Sequence, residues 1–204
     1  VNFSIQLLVD LLSAGFIDKI GYRAGAVLAH ILIGVGLISL SVLTQCFADP
    51  YAGILLSIFF YSIGGGLTEV LISPIVEACP GEGKAAAMSL LHSFYCWGHV
   101  FVVLFSTLFF TVFGIANWRI LACLWAVLPL FNTFLFTQVP IFPLVEEGEE
   151  GMGVGQLFRQ KAFWVLMLLM LCAGASEQGM SQWASSFAES GLHVSKTIGD
   201  LAGP

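Results

Sequence analysis

Long uninterrupted apolar segments constrain this chain more than any other feature. A helix needs about 20 consecutive, mostly apolar residues to cross the hydrocarbon core of a bilayer. Residues 1–17, 24–46, 51–76, 85–113, 118–139 and 162–187 satisfy that demand. The breaks between them carry turn formers: Gly21 within 18–23, the pair Asp49-Pro50, Gly81 and Gly83 within 80–84, and Gly114 at the head of 114–117. No water reaches the hydrocarbon, so backbone polar groups must pair within each segment, and each segment reads as an α-helix. The expected fold class is all-α, a polytopic transmembrane helical bundle.

Composition removes the competing classes. Only 10% of the residues are charged and 58% are hydrophobic, against about 25% and 45–50% in soluble domains. Lys+Arg is 7, Asp+Glu is 13 and the formal net charge is −6, so no nucleic-acid partner is expected. The partners implied are the lipid bilayer and a small-molecule solute. Cys46, Cys79, Cys96, Cys123 and Cys172 lie mostly in apolar runs without Cys-x-x-Cys spacing, which reads as buried, inert thiols rather than a metal or redox site. The chain opens at Val1 inside an apolar run and is expected to be a segment of a longer protein.

Positive charge sets the expected orientation. With spans alternating, Lys19, Arg23, Lys84, Arg159 and Lys161 fall on one side, and Arg119 and Lys196 on the other. The first group is assigned to the cytoplasm, which puts both ends of the chain outside. The stretch 141–161, with Pro143 and Glu146, Glu147, Glu149 and Glu150, is the one polar linker. It divides the chain into 1–140, a lobe of five spans, and 162–204, the start of a second lobe.

Polar groups in hydrocarbon are costly and mark function by default. Glu69 lies inside 51–76, after Gly64-Gly65-Gly66, with no Lys or Arg in the interior of any span to neutralise it; Arg119 sits at the outer head of 118–139. It reads as a proton-binding or substrate-binding carboxylate facing a cavity, or as a structural carboxylate paired with a neighbour. The three glycines allow close helix approach or a bend. In 85–113, His92, Ser93, Tyr95, Cys96, Trp97 and His99 cluster. His92 and Tyr95 read as cavity lining or as interhelical hydrogen-bonding groups. His92, Cys96 and His99 share a face, but a fourth metal ligand is missing. In 162–187, Gln178, Ser181, Gln182 and Ser185 form a stripe, joined by Glu177 and Trp183. Amides, hydroxyls and an indole suit a sugar, and the plainer reading is a stripe near the outer surface. No cofactor is expected. Gly81-Glu82-Gly83-Lys84 lacks the leading Gly and the following Ser or Thr of a phosphate loop, and 151–156 lacks the third Gly of a dinucleotide turn.

The turn AGFIDKIGYRAG resembles the loop between the second and third helices of the major facilitator superfamily, Gly-x-x-x-Asp-Arg/Lys-x-Gly-Arg-Arg/Lys. Asp18, Lys19, Gly21 and Arg23 match, while Ala14 replaces the first Gly and Tyr22 the first closing basic residue. Gly21 permits the tight turn, and Asp18 and Arg23 are expected to lock an inner gate. The resemblance implies that the six spans are helices two to seven of a twelve-helix, two-lobe fold.

Two further stretches, IGGGLTEVLISPIVEACP and SLLHSFYCWGH, resemble helices four and five of the fucose/glucose/galactose–proton symporter group, and GASEQGMSQW resembles its helix seven. Glu69 and Pro74 match, with Ser73 in place of Asn; so do Leu91, His92 and Phe94, and Glu177 and Trp183. The resemblance implies proton coupling at Glu69. It implies a solute cavity lined by His92, Tyr95, Glu177, Gln178, Ser181, Gln182 and Trp183, and a gate at Asp18, Lys19, Gly21 and Arg23. The expected function is secondary transport of a small polar solute, a sugar above others, by proton symport and alternating access. An exporter of the same fold, a non-transporting sensor and a membrane enzyme are the alternatives; the last lacks a nucleophile or metal beside its base.

Overall fold

The structure, a computed structural model, describes residues 1–142 and 153–202, without the side chains at 14, 15, 18, 154 and 200–202. Pro143, the four linker glutamates and the glycines at 148 and 151 lie outside the described residues, as does the side chain of Asp18. Among the described residues the chain is helical and without strands. The long helices are α1 (Asn2–Ile20), α2 (Tyr22–Cys46), α3 (Pro50–Glu77), α4 (Lys84–Phe113) and α5 (Trp118–Gln138). A short α6 (Val154–Leu157) precedes α7 (Lys161–Leu192), and α8 (Lys196–Ala202) follows it. Helices α2, α3, α4 and α7, and α5 with the 3-10 turn before it, are each long and apolar enough to cross a membrane; α1 is apolar over Asn2–Ser13.

Local chemistry fixes the helix ends. Gly21 sits at φ 88° between α1 and α2, a conformation that costs a side-chain-bearing residue dearly. Asp49 caps α3 by accepting from the Tyr51 N–H at 3.0 Å, and Pro50 takes the first helical position, where its missing N–H is not needed. Pro74 lies inside α3 without ending it. Gly114, at φ 79°, breaks α4 from the 3-10 turn Ile115–Asn117 that leads into α5.

The chain divides into two compact units, Val1–Leu91 with Phe113–Leu144, and His92–Val112 with Val145–Pro204. In the first, α2 packs on α3 and α5, and α1 on α3. Lipid tails are as apolar as Leu, so close backbone contact rather than hydrophobic burial holds such helices together. Glycine supplies it. A methyl group added at Gly36 would stand 2.6 Å from the Tyr61 nitrogen, at Gly53 2.6 Å from the Leu43 carbonyl oxygen, and at Gly64 2.5 Å from that of Ala29. Val9, Ile17, Ala26, Ala29, Leu67 and Leu71 form the core where α1, α2 and α3 meet. Between α2 and α5, Ser41 Oγ donates to the Arg119 carbonyl at 2.8 Å, and the His30 and Phe136 rings lie 4.9 Å apart. In the second unit α7 packs against α8, with Ala188 buried.

Candidate functional site

The glycine triplet ahead of Glu69 is a packing platform with two faces. Gly64 meets α2 at Ala29 and Ile33, whereas Gly65 and Gly66 meet α1. A methyl at Gly65 would stand 2.9 Å from Gln6 Nε2, and one at Gly66 3.1 Å from Val9 Cβ and 3.3 Å from Asp10 Oδ1. Of the two roles the sequence allowed the triplet, close approach is the one found. Glu69 follows three residues later on α3 and is exposed.

A polar seam runs along the α1–α3 contact. Ser62 Oγ donates to Asn2 Oδ1, Gln6 lies over Gly65, and Asp10 lies over Gly66. The two helices therefore run parallel and in step. Asp10 Oδ1 is buried and has no hydrogen-bond partner among the described residues, while Ser13 Oγ donates to the Asp10 backbone carbonyl at 2.8 Å. One turn beyond the Gln6–Gly65 contact, Asp10 on α1 and Glu69 on α3 occupy the next level of the seam. Asp10 was absent from the residues expected from sequence. The signal was present: Asn2, Gln6, Asp10 and Ser13 recur at helical spacing along an otherwise apolar segment, one face of one helix.

The turn residues occupy one end of the first unit. Gly21 makes the turn, and Lys19 is exposed. Arg23 reaches across to α5, where Nη1 donates to the carbonyls of Phe136 at 2.9 Å and Thr137 at 3.0 Å. These are among the last carbonyls of α5, which have no partner within their own helix. The guanidinium supplies both a donor and a positive charge where the helix dipole favours one. Arg23 thus joins the first helix after the turn to the end of α5.

His92 and Tyr95 lie on α4 and are exposed, as are Glu177, Gln178, Ser181, Gln182 and Trp183 on α7. Both sets belong to the second compact unit, and Glu69 to the first. Ser185, at the end of the α7 stripe, is covered by α8, where a methyl at Gly199 would stand 3.0 Å from its carbonyl oxygen. At the opposite end of α7 the Phe158, Phe163 and Trp164 rings pack together with centroids 5.3–5.8 Å apart, and Trp164 Nε1 donates to the Phe158 carbonyl at 3.0 Å. The Trp164 indole, apolar apart from its one N–H, suits the membrane–water boundary.

No characterised protein and no solved structure matches the chain. The family profile of the major facilitator superfamily matches residues 1–203. A multi-pass helical protein with apolar spans, carrying that profile from end to end, belongs to the major facilitator superfamily and is a transporter of that kind.

Proposed function

We propose that this chain is part of a proton-coupled symporter for a sugar or a closely related polar metabolite, resident in a plasma membrane, the inner membrane of a bacterium. Both ends of the chain lie on the outer side in this reading. The observation that carries it is Glu69: an acidic residue within a long apolar helix, exposed beside a seam of polar groups, with no cation in the interior of any span to neutralise it. A carboxylate so placed gains and loses a proton as water reaches it from one side or the other. Protonation then biases which face of the transporter opens.

The hydroxyls and amides of Ser181, Gln178 and Gln182 hydrogen-bond the hydroxyls of the solute. The Trp183 indole stacks on its apolar ring face, and His92, Tyr95 and Glu177 complete the cavity wall. Asp18, Lys19, Gly21 and Arg23 serve the inner gate.

The test uses the protein expressed from its complete gene in de-energised cells. Sugars are added one at a time and the external pH is recorded. Alkalinisation with one sugar, abolished in Glu69→Gln while sugar exchange without net proton movement persists, is the expected result. Absence of any pH change across the panel removes the sugar-symport reading. Unchanged accumulation in Glu69→Gln removes Glu69 from the coupling.

A further inference from the structure

Asp10 is a second carboxylate on the same seam, and the coupling scheme above gives it no role. Its Oδ1 is sealed against Gly66 without a hydrogen-bond donor. An ionised carboxylate only accepts hydrogen bonds, so a buried oxygen of this kind calls for a proton donor. The neighbours do not supply one. On α1, the Ser13 hydroxyl is given to the Asp10 carbonyl, and Gln6 lies a turn away over Gly65. On α3, the Thr68 hydroxyl is given to the Gly64 carbonyl and the Ser62 hydroxyl to Asn2, and Tyr61 lies against Gly36 on the α2 side. On α2, His30 is held by the Ala26 carbonyl through Nδ1, and Arg23 by the end of α5. Lys19, at the end of α1, is exposed.

Among the described residues, the remaining titratable group on this seam is Glu69. The parallel register fixes this relation. Asn2 stands with Ser62, Gln6 with Gly65 and Asp10 with Gly66, so one turn beyond the Gln6–Gly65 contact Asp10 on α1 meets the level of Glu69 on α3. A glycine at position 66 is what allows the Asp10 carboxylate to reach this level of the seam.

We propose that Asp10 and Glu69 hold one proton between them, so that the proton-carrying group is a carboxyl–carboxylate pair bridging α1 and α3. This rests on the reading of Glu69 as the coupling residue. Glu69 is exposed and receives the proton from water. Its O–H then donates to the Asp10 carboxylate, which provides the missing partner. When the proton leaves to water on the other side, two like charges face each other across the seam, and the Gly66 contact loosens. One proton enters and one leaves, and no other bond changes. Paired carboxylates that cannot both ionise are a recognised way of holding one proton between two groups.

The test is labelling with dicyclohexylcarbodiimide near neutral pH on the full-length protein in lipid vesicles, followed by peptide mass spectrometry. The reagent adds to a protonated carboxyl in apolar surroundings and spares an ionised one. Native protein should take up label at Glu69 or Asp10, with no chain carrying both. Asp10→Asn should lower labelling of Glu69 by about tenfold or more, because the lone carboxylate no longer retains a proton. Glu69→Gln should lower labelling of Asp10 likewise. Asn is nearly isosteric with Asp at the buried position and Glu69 is exposed, so the two variants provide independent chances of a folded sample. Unlabelled native protein, chains labelled at both positions, or undiminished Glu69 labelling in Asp10→Asn each overturn the pair. The assay needs no solute. Pair-like labelling without sugar-driven proton uptake would leave the pair standing and remove the solute assignment. Sugar-driven uptake with undiminished labelling would mean that Glu69 works alone.

Discussion

Gly64 and Glu69 lie little more than a turn apart on α3 and answer to different demands. Gly64 is required by the backbone of α2. Gly64→Ala forces a methyl to within 2.5 Å of the Ala29 carbonyl oxygen, and the two helices must part. The expected cost is about 1–3 kcal/mol, read as a lower melting temperature in detergent. Gly83→Ala, in a loop where an added methyl meets nothing within 4 Å, should stay within about 0.5 kcal/mol. Equal melting temperatures would mean that the α2–α3 contact is looser than drawn. Trp183 poses the reverse case. It is exposed, so Trp183→Ala should leave protein abundance unchanged and weaken solute binding; equal affinity would make the indole a lipid-facing or structural group. At this scale the sequence was half legible. Glu69 stood out because one acid in an apolar helix is conspicuous on its own. Asp10 did not, because its meaning depends on a partner helix and on a glycine 56 positions away in the chain (66 less 10). The polar periodicity around it was readable, but the direction it faces was not.

Among the elements, helix existence was plain and helix ends were not. The turn at Gly21 came directly from the residue, since a positive φ at a tight helix-to-helix turn favours glycine. The second helix was expected to begin at 24 and begins at Tyr22; the last long span was expected to stop at 187 and runs to Leu192. Hydropathy marks where lipid ends, whereas the helix continues until its carbonyls find other partners or the chain turns left-handed, as at His193 with φ 56°. Arg23 shows what a motif match leaves out. The resemblance suggested a gate, and the structure gives the guanidinium two carbonyls at the end of α5. Arg23→Lys keeps the charge but not the planar fork. It should lower the melting temperature by an amount corresponding to about 0.5–1 kcal/mol. Arg23→Ala should lose the helix-end charge interaction as well. No change in either variant would mean that the bonds to α5 do not support the fold.

For the whole molecule, the layout of spans was the most legible property, because lipid imposes the same rule on every segment. How α4 and α7 pack was not legible, since their polar residues look alike whether they face a cavity, a neighbour or the outer boundary. The orientation can be checked with native thiols. The five cysteines are exposed rather than buried as expected; Cys46 ends α2 and Cys79 follows α3, so the two flank α3 at its opposite ends. With the other three cysteines changed to Ser, an impermeant maleimide should label Cys46 in intact cells and Cys79 only in inverted vesicles. The opposite pattern would turn the chain over.

The glycine contacts also carry a timetable. Gly36, Gly53 and Gly64 all lie in the α2–α3 hairpin, which is complete once Glu77 has left the ribosome. Phe136, which Arg23 grips, comes 59 residues later (136 less 77), roughly 3–12 s at about 5–20 residues per second. The hairpin can therefore close as a finished pair inside the translocation machinery, and the arginine clasp is the later stitch that fastens α5 onto a surface already formed.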